Sequence, residues 1–153
     1  MKKFFYMLLL LPAALFVSSC DDDDNIPDVN ITAQVSGAVV ADNEVYVTSG
    51  ETFQIDAINL VNKTGKDAAL GVVTYSLDGL PLAVSVAAPY GIEVNTTDLP
   101  LGRHVITATM PVYVVDYPIC FGTMSFNVIV VEDESQLPAG PDTYSFPIVV
   151  RPK

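Results

Sequence analysis

Beyond residue 25 the apolar positions of the chain alternate with polar ones instead of recurring every three or four residues. Short runs rich in Val, Ile, Thr, Tyr and Phe are broken by Gly, Asn, Asp and Pro, the pattern of strands joined by turns. Ile31 to Val35, Val45 to Thr48 and Thr52 to Val61 are the first predicted strands. In the third, Phe53, Ile55 and Ala57 alternate with Gln54 and Asp56, and the phase then shifts to Ile58 and Leu60, which predicts a bulge near Ala57. Val72 to Leu77 and Leu80 to Val86 flank Asp78-Gly79, a hairpin signal, because a type I′ turn needs positive φ at both central residues. Ile92 to Thr96 is a further short strand, and Asp98 to Gly102 turns the chain again.

Two long segments close this body. In Arg103 to Val115, residues His104, Ile106, Ala108, Met110, Val112 and Val114 share one face. In Ile119 to Val131, residues Met124, Phe126, Val128 and Val130 do the same, and Asp116-Tyr117-Pro118 joins the two as a tight hairpin. Pro111 has no amide hydrogen and belongs at a bulge or an unpaired edge. Seven to nine short antiparallel strands in about 110 residues predict an all-β, two-sheet sandwich.

The ends of the chain break the alternation. Lys2 and Lys3 precede an apolar run, Phe4 to Val17, shorter than the roughly 20 residues that span a bilayer, so it reads as the apolar region of an export signal. Val17-Ser18-Ser19-Cys20 then resembles the bacterial lipobox, in which small residues precede a cysteine that becomes the lipidated first residue of the mature protein. That resemblance implies acyl chains such as palmitate on Cys20, and several chains give a stable anchor where one gives a marginal one. Asp21, Asp22, Asp23 and Asp24 follow at once; such a charge run repels itself and stays solvated. The run also resembles the export signal of Bacteroidetes lipoproteins, which implies an outer-membrane location facing the cell exterior. The chain therefore divides into a signal peptide at 1–19, a lipidated acidic spacer at 20–27, the sandwich at 28–135 and a Pro-rich tail at 136–153. Within the tail, Tyr144 to Val150 has the composition of an added edge strand.

Within the body a second resemblance stands out. Tyr75-Ser76-Leu77-Asp78-Gly79, then Ala88-Pro89-Tyr90, then Leu99 to Ile106 with Gly102 and His104, resembles bacterial immunoglobulin-like modules. It implies an immunoglobulin-like sandwich and says little about activity. The inter-sheet disulfide and core Trp of antibody domains are missing.

Composition narrows function mainly by exclusion. Eighteen Asp and Glu against seven Lys and Arg give a net charge of -11, which argues against a nucleic-acid partner that needs a basic face. With Cys20 lipidated, Cys120 has no partner for an internal disulfide. Cys120 sits in apolar sequence without a nearby cation, so an inert thiol is favoured over a nucleophile. His104 is the sole histidine; holding the preceding loop's backbone is favoured over catalysis. Asp42-Asn43-Glu44 reads as a polar turn in preference to a weak cation site, and no spacing calls for a metal or cofactor. One candidate binding surface remains, at the last hairpin. Tyr113, Tyr117 and Phe121, with Val115 and Ile119, fall opposite the core-facing set, although cover by the tail's apolar residues is favoured over a free surface. The expected function is a lipid-anchored, non-enzymatic surface or envelope binding or adhesion module for a glycan or protein, in one form an accessory of a glycan-uptake complex. The alternatives are a structural or assembly subunit using strand addition and, less favoured, a small hydrolase.

Overall fold

The structure, a computed structural model, describes residues 26–141 and 143–149, the latter by their backbone alone. Two sheets face each other. One has the order β11-β1-β4-β8, built from β1 (Val29–Ser36), β4 (Thr52–Asn62), β8 (Ile92–Asn95) and β11 (Thr143–Val149). The other has the order β2-β3-β10-β9-β6-β7, built from β2 (Val39–Ala41), β3 (Glu44–Thr48), β6 (Val73–Leu77), β7 (Leu80–Ser85), β9 (Gly102–Val114) and β10 (Cys120–Val131). A three-residue strand, β5 (Ala68–Leu70), lies beside β9 beyond the end of β6. This is an immunoglobulin-like sandwich, all-β.

The alternation dictates the packing. In β9 the residues His104, Ile106, Ala108, Met110, Val112 and Val114 are buried, and in β10 so are Met124, Phe126, Val128 and Val130. The antiparallel ladder between these strands runs from Val112 opposite Cys120 to Gly102 opposite Val130. Its inner face meets Ile31, Val35, Phe53, Ile55 and Val94 of the other sheet in one continuous core. Tyr75 and Phe53 are the largest side chains fully enclosed there.

Local irregularities follow from identifiable residues. The register of β1 against β4 jumps from Gln34 opposite Ala57 to Val35 opposite Ile55, so Asp56 is the extra residue of a bulge. Ala57 and Ile58 are then both buried, and the carboxylate of Asp56 accepts a hydrogen bond from Ser36 Oγ at 2.8 Å. The β6–β7 turn has φ of 51° at Asp78 and 82° at Gly79, the left-handed pair that its sequence demands. Pro111 lies in the ladder opposite Phe121, but its other side faces the gap between β5 and β6. Its carbonyl accepts from Gly71 N at 2.9 Å there, and no neighbouring strand asks for the amide hydrogen it lacks.

Three expectations need correction. Eleven strands are present among the described residues, not seven to nine, because β2 and β5 have only three residues each, too few to show a period. The strands are not all antiparallel: β3 runs parallel to β10. The chain leaves β1, turns at Gly37, descends as β2 and reverses at Asp42-Asn43, where φ is 52° and 62°; that second reversal sends β3 the same way as β10. The described strand of the tail does not run along the last hairpin. That strand, β11, pairs with β1 in the opposite sheet, Asn30 facing Val149 and Ser36 facing Thr143.

Glycine sets the approach of β8 to β4. A Cβ on Gly91 would fall 2.7 Å from the carbonyl oxygens of both Ile55 and Asp56, which are fixed in the ladder. A Cβ on Gly122 would fall 2.7 Å from Ile31 Cδ1, the rotatable end of a side chain. Gly91→Ala is therefore expected to lose about 1–3 kcal/mol of stability as an overpacked site, and Gly122→Ala distinctly less. Urea unfolding of the two variants beside the parent checks the order.

Candidate functional site

The β9–β10 hairpin carries the candidate surface. Inward alternation on both strands leaves Tyr113, Val115, Ile119 and Phe121 outward, and they are 46%, 52%, 60% and 57% exposed. Tyr117 is half-buried and packs against the edge of the core. Tyr113, Tyr117 and Ile119 line a shallow groove of about 320 Å³ whose other wall is Asp67, Ala68 and Ala69. Phe121 lies outside that groove, on the same face of the sheet and across the ladder from Pro111. The structure thus brings Tyr113 and Tyr117 together and leaves Phe121 beside them. The wall from β5 was invisible to the alternation, since Asp67-Ala68-Ala69 carries no strand signal.

The rim is held by polar contacts. Val115 N donates to Asp67 O at 3.0 Å, Tyr117 N donates to Val114 O at 3.1 Å, and Lys66 Nζ lies 2.8 Å from Asp116 Oδ2. That ion pair is exposed and contributes little, but it ties the 63–67 loop to the hairpin tip. Lys63 N in turn donates to Asp28 O at 3.0 Å, where the chain enters β1. A second depression, of about 300 Å³, lies at the opposite end between Gly37, Tyr46, Thr48, Glu51 and Glu134, with an acidic rim.

The resembling motif fragments meet in space. His104 is buried and uses both ring nitrogens: Nδ1 is 2.7 Å from Asp78 Oδ2 and Nε2 is 2.8 Å from Pro100 O. The ring therefore does hold the preceding loop's backbone, and it also holds the β6–β7 turn, a partner 26 residues away that sequence spacing could not supply. Asp78 Oδ1 accepts from Val105 N at 2.8 Å, which completes the latch. Both ring nitrogens face acceptors, so the doubly protonated ring satisfies both. The hydrogen bond to Asp78, then that to Pro100, raises the His104 pKa above 6.5, and burial opposes them. His104 first, then the Val105 amide, lowers the pKa of Asp78. In a second contact, Tyr75 Oη donates to Tyr90 O at 2.6 Å, and Tyr90 Oη donates to Leu70 O at 2.9 Å. Burial pushes the Tyr75 hydroxyl well above the ordinary tyrosine range.

The remaining candidates fall on neutral ground. Cys120 is buried, with Sγ 3.5 Å from Pro118 O. Among the described residues no group of three or more His, Cys, Asp or Glu is placed to hold a metal ion. Asp42 and Asn43 form the β2–β3 turn. Cys20 and Asp21, Asp22, Asp23 and Asp24 lie outside the described residues.

No family model matches the chain, and no curated protein matches it. Among solved structures it is similar to fibronectin(III)-like modules of Clostridium thermocellum CbhA, with 19% identity and a TM-score of 0.39 over 65% of this chain and 99% of that one. The sandwich described above rests on its own strand pairing.

The latch gives stability a defined pH dependence. Folding raises the proton affinity of His104, so its contribution is fully present below the unfolded value of 6.5 and is lost as pH rises through the raised folded pKa. Asp78 works oppositely: its contribution is present above the unfolded value of 3.8 and is lost as pH falls through the lowered pKa. The urea midpoint is expected to fall as pH rises from about 6.5 into the alkaline range. His104→Gln is expected to flatten that slope and to lose about 1–3 kcal/mol near neutral pH through unsatisfied partners.

Proposed function

We propose that this chain is a lipid-anchored, non-catalytic module of the bacterial envelope, held at Cys20 on the outer membrane and making contacts through its β9–β10 hairpin face. The observation that carries the contact is the outward set Tyr113, Val115, Ile119 and Phe121, which a stable fold does not require on its surface. Large side chains on a rigid ladder bring apolar area to an interface at low entropic cost. The anchor is supported by the sequence at Val17-Ser18-Ser19-Cys20, and the exterior location by the Bacteroidetes-like Asp21 to Asp24 run. Accessory service in a glycan-uptake complex is one form of this reading, with the acid-rimmed depression at the opposite end free to meet a soluble glycan or protein.

A second reading, an assembly subunit, is favoured by one observation. The outer edge of β1 is filled by β11, the last described strand and distant from it in sequence, and an edge filled by such a segment can accept the same segment from another copy. Size-exclusion of the unlipidated mature chain separates the two: a monomer at all concentrations disfavours assembly, and a ladder of oligomers favours it.

Two substitutions test the first reading. Cys20→Ala should abolish acyl labelling and move the protein out of the membrane fraction; continued membrane association rejects the anchor. Alanine at all of Asp21 to Asp24 should protect the protein from protease added to intact cells, whereas unchanged cleavage rejects the export signal.

A further inference from the structure

We propose that the β9–β10 hairpin end of the sandwich docks on the bilayer that receives the acyl chains of Cys20, so that the module is fixed to lipid at two points and stands in one orientation. The proposal names the partner of the face described above and rests on the preceding reading for the anchor.

The two ends of the sandwich differ, and the anchor enters at one of them. Asp28 accepts from Lys63 at the head of β1, Lys66 reaches Asp116 in the hairpin tip at 2.8 Å, and Val115 donates to Asp67. The point where the chain enters the fold and the apolar tip thus share one pole. Cys20 is six residues before Ile26, the first described residue. Even fully extended, that length reaches only roughly 20 Å. This pole therefore lies next to the lipid, and an incoming glycan or protein would have to enter a narrow gap to reach it.

The chemistry of the pole suits a lipid surface. Tyr113 and Tyr117 are amphipathic rings of the kind enriched at the headgroup level, and Ile119 and Phe121 supply apolar bulk beside them. Ile26 and Val61 are exposed at the same pole. A rigid hairpin inserts such groups without ordering a loop.

The cations agree with this placement. Of the seven Lys and Arg, Lys2 and Lys3 precede Cys20, which leaves Lys63, Lys66, Arg103, Arg151 and Lys153. Lys63 and Lys66 are at the hairpin pole. Arg151 and Lys153 lie outside the described residues. Among the described residues only Arg103 belongs to the far half of the sandwich. Glu51, Asp98, Glu132, Asp133 and Glu134 gather at the far pole, against Asp28, Asp67 and the paired Asp116 at the near one. Among the described residues two of the three cations, Lys63 and Lys66, thus stand at the end where the anchor enters.

The chain has no Trp, so one introduced indole reports its own surroundings. The test uses the full mature, lipidated chain as Phe121→Trp, with Leu101→Trp at the far pole as the control. Each is reconstituted into phosphatidylethanolamine–phosphatidylglycerol vesicles in which part of the acyl chains is brominated. Docking predicts about twofold or greater quenching at position 121, in the range expected for side chains ~5–10 Å into the interface, and none at 101. Ile119→Asp in the Phe121→Trp background should restore the emission while the protein still floats with the vesicles. Flotation with equal, unquenched emission at 121 and 101 overturns the docking and leaves the anchor standing. Failure to float overturns the anchor and the docking with it. Capture of a purified glycan or protein by an unquenched hairpin face would assign the face to that partner instead.

Discussion

The ladder between β9 and β10 is the element on which the other strands depend. Its inward residues supply ten of the 24 buried residues of the core, its β10 edge receives β3, and its β9 edge receives β6 and then β5. Because the side-chain period of a strand is two, a slip of one residue would turn His104, Ile106 and Phe126 outward and bring Tyr113 and Phe121 in. The register of this one pair therefore decides both what the core contains and what the surface offers. The exposed hairpin face is the outer half of the same pattern that builds the interior.

Two small polar contacts keep that ladder in its frame. The His104–Asp78 pair joins the start of β9 to the β6–β7 turn, and the Tyr75–Tyr90 hydrogen bond joins β6 to the loop that crosses to β8. Each lies at the boundary of the core, where a missing partner would leave a buried group unsatisfied. They explain why Tyr75, Asp78, Tyr90 and His104 occur together in a module that has no disulfide within its described residues.

Much of the frame was legible because it depends on local rules. Alternation exposed the inner faces of β9 and β10, the Asp78-Gly79 dipeptide announced its turn, and the phase shift at Ala57 marked the bulge. His104 was legible as the residue that holds the loop at Pro100, since its inward phase and the preceding Gly102 are neighbours in sequence. What escaped depends on partners far apart in the chain. The carboxylate of Asp78 reaches His104 only once β9 pairs with β6, the parallel course of β3 follows from two successive reversals, and β5 is too short to show any period. The fate of the tail escaped for the same reason: composition marks a strand but not the edge it will join, and β1 offered an open one. The groove beside Tyr113 and Tyr117 was half visible, because its aromatic wall alternates and its Ala68–Ala69 wall does not.

The pairing of β11 with β1 has a consequence for how the protein is made. β1 is the first strand of the body to be synthesised, and β11 is the last. The outer edge of β1 therefore stays without its partner until the residues up to Val149 have emerged. A strand with an unfilled edge and no charged residue among Val29 to Ser36 is a template for pairing with whatever strand comes near. A chain cut before Thr143 would carry that open edge permanently, so the fold closes only once β11 is present.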